Sequence, residues 1–374
     1  MRRSLCVLAL CAAVSVPAFA QTTAGSVGEY PINYPNVADE TTGMCHPKPG
    51  GSTHEITFRP GNTTLWITGQ NYDQVVQVAE SGAMAFHRMP TGSGPHGIQF
   101  DAAGRLWVTL EKTGQIVRLD ANGTIMQTID VNLACATCAA GQKLNPKPHG
   151  LAIGADGATL WFTGKATGTV GRVAPDGTIT TYVLPTVGSV PIYVSAGKGG
   201  TMWVTELVGN AIARIDPNGV VTESPIPTNN SRPIAIVPQP DDSGVMWFTE
   251  EAGNRVASIT PDGKIVEYPL PLSQSNVILA GLGFDKNGNL WVQQYVDQNN
   301  PTPANPSPSG GDYIIRIDKS ITQAKGGDIS KVPIAYFKVP SVQTIMHRVI
   351  EGPDGNIWFT ELGTNRVGKL TITQ

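Results

Sequence analysis

The chain has 374 residues, a formal net charge of −3 and 15% charged residues, so it lacks the basic excess with which nucleic-acid-binding proteins neutralise phosphates. Its 42 glycines and 29 prolines suit many tight turns. Its five cysteines are too few for a disulfide-built scaffold of this length.

In chain order, the first element is a leader. Residues 1–20 combine Arg2 and Arg3, an apolar core and the small-x-small ending Ala18-Phe19-Ala20, the pattern of a secretory signal. The mature chain is expected to start at Gln21 and to be periplasmic or secreted. Leu10 precedes Cys11 where a lipoprotein signal has a small residue, and no later apolar run is long enough to span a bilayer. Residues 21–374 are expected to form one soluble, monomeric domain.

A repeat then runs through the chain. Trp66, Trp107, Trp161, Trp203, Trp247, Trp291 and Trp358 each sit in a Gly/Asn/Thr-x-apolar-Trp-apolar frame. Their steps are 41, 54, 42, 44, 44 and 67 residues, the period of a propeller blade with two insertions. The second repeat reads as four short β-type runs, at 96–100, 106–109, 115–119 and 124–129, separated by Gly-containing turns such as Asp101–Gly104 and Ala121–Gly123. No window carries the 3.6-residue period of an amphipathic helix. The expected fold is all-β, a seven-bladed β-propeller of four-stranded antiparallel blades, with the tryptophans packed between blades.

The last repeat stops at Thr371-Ile372-Thr373-Gln374, after its third strand. Glu29-Tyr30-Pro31-Ile32 copies Glu267-Tyr268-Pro269-Leu270, the fourth strand of the fifth repeat. The N-terminal strand is therefore expected to close the ring, which removes exposed sheet edges.

Counting back 11 to 13 residues from each tryptophan gives the start of each innermost strand: His54, His96, His149, Ile192, Ile234, Ala280 and His347. In a closed ring the four histidines come from consecutive blades and form one arc. A single histidine there reads as a hydrogen-bonded strand start, but four in register point to a site. The second strand returns antiparallel, so Glu206, Glu250 and Glu361, three residues after their tryptophans, end on the same face, as does Glu111. Glu111 and Glu361 fall within the arc, and Glu55 adjoins His54. Glu206 and Glu250 read as loop-capping acceptors of backbone N–H groups.

Insertions at 131–145 and 296–311 open on the histidine face, and one at 320–331 on the opposite face. The first contains Cys135 and Cys138. Ala139 stands where haem attachment needs histidine, so a loop-stapling disulfide is expected, with pairing of Cys45 to either partner left open.

Trp358-Phe359-Thr360-Glu361 and its continuation to Leu370, together with Pro95-His96-Gly97-Ile98 followed by Trp107 to Glu111, resemble the virginiamycin B lyase family over essentially all of residues 21–374. The resemblance implies a lyase that opens the ring ester of a cyclic depsipeptide of streptogramin B type by elimination. It implies His96 as base, His54 assisting from the preceding blade, and Glu111 holding Mg²⁺. Gly94 stands where the family has a second metal-binding glutamate. His149, His347 and Glu55 extend the set, and three or four imidazoles suit a transition metal such as Zn²⁺ better than Mg²⁺. Two other readings remain: a metal-dependent lactonase, and a non-catalytic propeller that binds a ligand or another protein, because fold alone does not specify activity. The expected partner is a small molecule or cyclic peptide.

Overall fold

A computed structural model describes residues 24–35, 51–274, 276–297 and 310–373. The expected leader at residues 1–20, Cys45 and most of the 296–311 insertion lie outside them. The described residues form seven four-stranded antiparallel sheets and one two-stranded hairpin, with only three short 3₁₀ segments between them. No helix among them is long and apolar enough to cross a membrane. The expected all-β, seven-bladed propeller is borne out.

Six sheets run in chain order from the axis outward; in the seventh the outermost strand is the N-terminal one. The innermost strands are Thr53–Phe58, Pro95–Phe100, Pro148–Ile153, Pro191–Ala196, Pro233–Pro238, Val277–Phe284 and Met346–Glu351. Each tryptophan packs on the following blade: Trp66 with Ile98 and Val108, Trp107 with Leu151 and Phe162, Trp358 with Ile56 and Ile67. Burying large aromatic area between blades is what holds a radial fold together. Fourth-strand aromatics cover the outer side of several tryptophans, as Tyr182 does for Trp161, with ring centroids 5.5 Å apart, and Tyr268 for Trp247 at 5.1 Å.

The seventh blade closes as expected. Ala24–Pro31 pairs antiparallel with Arg366–Thr373, from Ala24 opposite Thr373 to Pro31 opposite Arg366. Tyr30 stacks on Trp358 at 5.9 Å, the place Tyr268 takes in the fifth blade. Glu29 accepts from the Ser341 backbone N–H and hydroxyl, both at 2.8 Å, so the closing strand also fastens to the sixth blade.

Two features of the repeat aim side chains at the axis. In every innermost strand the pairing register slips near its start, between Thr53 and Ile56, Pro95 and Ile98, Pro148 and Leu151, and Met346 and Val349 in the histidine blades. Such a bulge turns an extra residue out of the ladder, and here the histidines lie inside it. A threonine two residues after the tryptophan then repairs the ladder. Thr109 Oγ1 accepts the Gly97 N–H at 2.7 Å and donates to the His149 carbonyl of the next blade at 3.2 Å. Thr68 and Thr360 repeat this clasp toward the carbonyls of His96 and His54, at 2.8 and 2.7 Å. Gly97 permits the close approach: a Cβ there would stand 2.5 Å from the His149 carbonyl oxygen.

The 131–145 insertion forms a hairpin of Leu133–Ala134 and Lys143–Leu144, with Cys135 and Cys138 joined in a disulfide near its tip. Asn145 at its base donates to the carbonyl oxygens of Glu111 and Lys112, so the insertion borders the histidine face as expected.

Candidate functional site at the channel mouth

The four histidines converge. Ring centroids are 4.9 Å apart for His54 and His96, 5.1 Å for His54 and His347, 5.6 Å for His96 and His347, and 3.6 Å for His96 and His149. Their side chains come from four consecutive blades, so the arc read from the tryptophan spacing is present.

Two histidines pair with carboxylates. His149 Nδ1 lies 3.0 Å from Glu111 Oε2, which also accepts from Gln70 Nε2 at 2.7 Å, while Lys165 Nζ approaches Glu111 Oε1 at 3.6 Å. Across the mouth, His347 Nε2 lies 3.1 Å from Glu55 Oε1, and Arg348 Nε donates to Glu55 Oε2 at 2.5 Å. Arg348 in turn stacks on Tyr193, its guanidinium carbon 4.0 Å from the ring centroid. The other two histidines are tied to backbone: His54 Nδ1 to Ser52 O at 2.7 Å and His96 Nδ1 to His149 O at 3.2 Å. His96 Nε2 is buried and has no hydrogen-bond partner among the described residues.

Burial sets the charge states. It pushes His54 down to about 3, with His347 adding to the effect, and holds His96 well below its ordinary value, with His149 adding. His149 and His347 are also lowered by burial, against the pull of Glu111 and Glu55. All four imidazoles are therefore neutral at pH 7. Burial works against ionisation of Glu111, yet His149 and Lys165 bring it down to about 2. Burial likewise opposes Glu55, but Arg348 and His347 outweigh it and keep that carboxyl ionised. Two carboxylates face Lys165 and Arg348, so the mouth is close to charge-balanced.

The structure thus brings together His54, Glu55, His96, Glu111, His149 and His347. It does not bring Glu361 to them: that carboxyl is buried, accepts from Thr364 Oγ1 at 2.6 Å and faces Glu29. The expected capping roles of Glu206 and Glu250 are corrected. Neither carboxylate accepts a backbone N–H among the described residues. Each instead lies close to a fourth-strand glutamate, Glu206 to Glu223 and Glu250 to Glu267. Burial, with this like charge, lifts Glu206 to about 7 and Glu250 to about 8.

Arg348 and Lys165 escaped the sequence reading because neither occupies the counted ring position. The adjacency of Arg348 to His347 was the available signal, by analogy with Glu55 beside His54. The threonine clasp was visible as a recurring Trp-x-Thr but had no assigned partner.

Among the described residues, two groups place three metal-ligating side chains together: Glu55, His96 and His347, and His96, Glu111 and His149. Mg²⁺ prefers several oxygen ligands, whereas both groups are nitrogen-rich with a single carboxylate. Gly94 has φ +61°, and a Cβ there would lie 2.8 Å from the Lys112 side chain, so a glutamate at that position would be strained. These residues do not fit the two-carboxylate Mg²⁺ site that the resemblance implies.

Fold and site together define a closed seven-bladed propeller with a histidine–carboxylate cluster at one mouth of its channel. Part of the chain is similar to the virginiamycin B lyase family, whose profile matches residues 134–300, and the SMP-30/gluconolactonase/LRE-like region matches residues 62–146. A virginiamycin B lyase from Nocardia farcinica is 34% identical over 127 residues, a stretch spanning 34% of this chain and 40% of that relative. A streptogramin B lyase structure superposes with a TM-score of 0.71 at 23% identity, covering 93% of this chain and 98% of the other. A catalytically inactive virginiamycin B lyase from Staphylococcus aureus with quinupristin gives 0.70 at 23% identity, covering 94% and 100%. At that identity the structural matches establish the shared fold.

Proposed function

We propose that the mouth is the active site of an exported lyase that opens a ring ester in a cyclic depsipeptide or similar bulky substrate by elimination. The observation that carries this reading is the His149–Glu111 dyad in a buried, charge-balanced mouth. Glu111 accepts the His149 Nδ1 proton, which leaves Nε2 as a lone pair, and burial keeps that imidazole neutral. A neutral, oriented histidine is what proton abstraction beside a carbonyl requires. His96, the base expected from the resemblance, is only 1% exposed and lies beneath the His149 ring.

In the proposed reaction His149 Nε2 takes the proton alpha to the carbonyl, the electron pair forms a carbon–carbon double bond, and the β carbon–oxygen bond breaks. The ring carboxyl leaves as carboxylate, and the proton stays on His149 until solvent takes it. Lys165, partly exposed beside Glu111, is the cation nearest that departing charge. A cleft of about 600 Å³ on the same face, lined by Arg232, Glu251, Asn254, Leu272, Tyr295 and Ile345, has the size of small-molecule sites and offers room for the rest of a large ring. Residues 1–20 support the export.

The test is turnover of a streptogramin B with the full mature chain, followed by mass spectrometry. The expected product has the mass of the substrate, carries a new double bond, and takes no oxygen from ¹⁸O-labelled water. The lactonase-type match at residues 62–146 favours hydrolysis as the second reading, which predicts one labelled oxygen per ring opened. No turnover of cyclic esters or lactones would leave a binding propeller.

A further inference from the structure

We infer that the mouth binds one divalent transition-metal ion through Glu55, His96 and His347, at a position separate from Glu111. The site joins the first, second and seventh blades, so it exists only in the closed ring. It stands whether or not the proposed elimination is correct.

Ring geometry selects this group over the other. Metal–imidazole bonds are about 2.0–2.1 Å, which places ring centroids about 3 Å from the ion and two centroids on a tetrahedral ion about 5 Å apart. His96 and His347 stand at 5.6 Å with planes at 90°. His96 and His149, at 3.6 Å with planes 29° apart, are stacked, so their in-plane lone pairs run side by side and do not meet on one ion. His149 is thereby left with Glu111.

The far side of most ligands is already held. Arg348 fixes Glu55 Oε2, and His149 O fixes His96 Nδ1. Metal-binding imidazoles and carboxylates are oriented by such outer partners. The buried His96 Nε2, which lacks a partner among the described residues, gains one when an ion is bound. Two imidazoles and one carboxylate favour zinc, copper, nickel or iron over magnesium and calcium.

Co²⁺ is the probe. The full mature chain carrying Cys45→Ser, which removes competition from that thiol, is stripped with chelator and titrated by calorimetry and by ligand-field absorption. The expected result is one Co²⁺ per chain. His347→Ala should weaken binding by more than about 100-fold, beyond the loss typical of an outer-shell change, and Arg348→Lys by about 10- to 100-fold. Glu111→Gln and His149→Ala should bind as the parent does. Melting curves in chelator establish that each variant folds; Glu55→Gln serves if His347→Ala does not. Loss of Co²⁺ on Glu111→Gln with retention on His347→Ala would move the ion to the other group and overturn the inference, as would the absence of stoichiometric uptake by the folded parent.

Discussion

His149 lies face to face on His96, ring centroids 3.6 Å apart, while its Nδ1 is held 3.0 Å from Glu111. The upper ring is oriented by a carboxylate and the lower is tied to backbone and buried. One arc of equivalent sequence positions therefore holds its imidazoles in two ways: His149 by a carboxylate and His96 by backbone.

This division predicts the activity of point variants. His149→Ala should lower kcat for ring opening by about 100-fold or more, the scale of a lost general base, and Glu111→Gln should lower it less because the imidazole remains. Steady-state kinetics on a streptogramin B substrate is the check. Wild-type rates in both variants would remove His149 from the chemistry.

The threonine clasp predicts a stability effect coupled to the site. Thr109→Val keeps the shape but strips the acceptor from Gly97 N–H and the donor to the His149 carbonyl. Leaving a buried N–H unpaired costs about 1–3 kcal/mol, so the denaturant midpoint should fall. The same change at exposed Thr222 should be within about 0.5 kcal/mol of the parent.

Buried glutamate pairs make the propeller sensitive to alkali. Glu206 is lifted from 4.5 to about 7, and Glu250 and Glu361 from 4.5 to about 8. Because the folded values lie above the unfolded one, these groups stabilise the fold fully below pH 4.5, and that contribution is lost as pH rises through 7 to 8. The melting temperature should fall between about pH 4.5 and pH 8, and Glu250→Gln should flatten that slope by removing one titration. An equal slope in parent and variant would mean that the carboxyl does not titrate in the fold.

The fold was legible because its determinants are local and repeated. A tryptophan in a fixed frame marks one blade, and Glu29-Tyr30-Pro31 declares a fourth strand by copying 267–269. The arc of histidines was legible for the same reason, since equal distance from a tryptophan means equal place in a ring. Partners set by contact between blades were not: the Arg348–Glu55 pair spans 293 residues, and nothing local links them. The Glu206 and Glu250 pairs failed for a related reason. Their partners, Glu223 and Glu267, lie on the outermost strand, two strands away in the ladder.

Ring closure is testable by shortening the chain. Removing residues 24–31 strips the fourth strand from the seventh blade, exposes the edge of Arg366–Thr373 and uncovers Trp358. A large fall in melting temperature and a gain in self-association are expected, since open strand edges recruit other strands. Tyr30→Ala, which keeps the ladder and removes only the stacked ring, should cost less, roughly 1–3 kcal/mol. An unchanged melting temperature in the truncated chain would show that this strand does not close the ring.

The buried ion pair of Arg348 and Glu55 gives the sharpest energetic test. Removing one partner strands a charge inside the mouth, so Arg348→Met alone should cost about 3–5 kcal/mol. Glu55→Gln together with Arg348→Met removes both charges, and the double variant should recover much of that loss, because an ion pair replaced by neutral groups of similar volume is often nearly neutral in stability. Chemical denaturation of the two single variants and the double variant, in chelator, measures the coupling. Additive losses would mean that the two side chains do not meet, and would detach Glu55 from the orientation that Arg348 gives it.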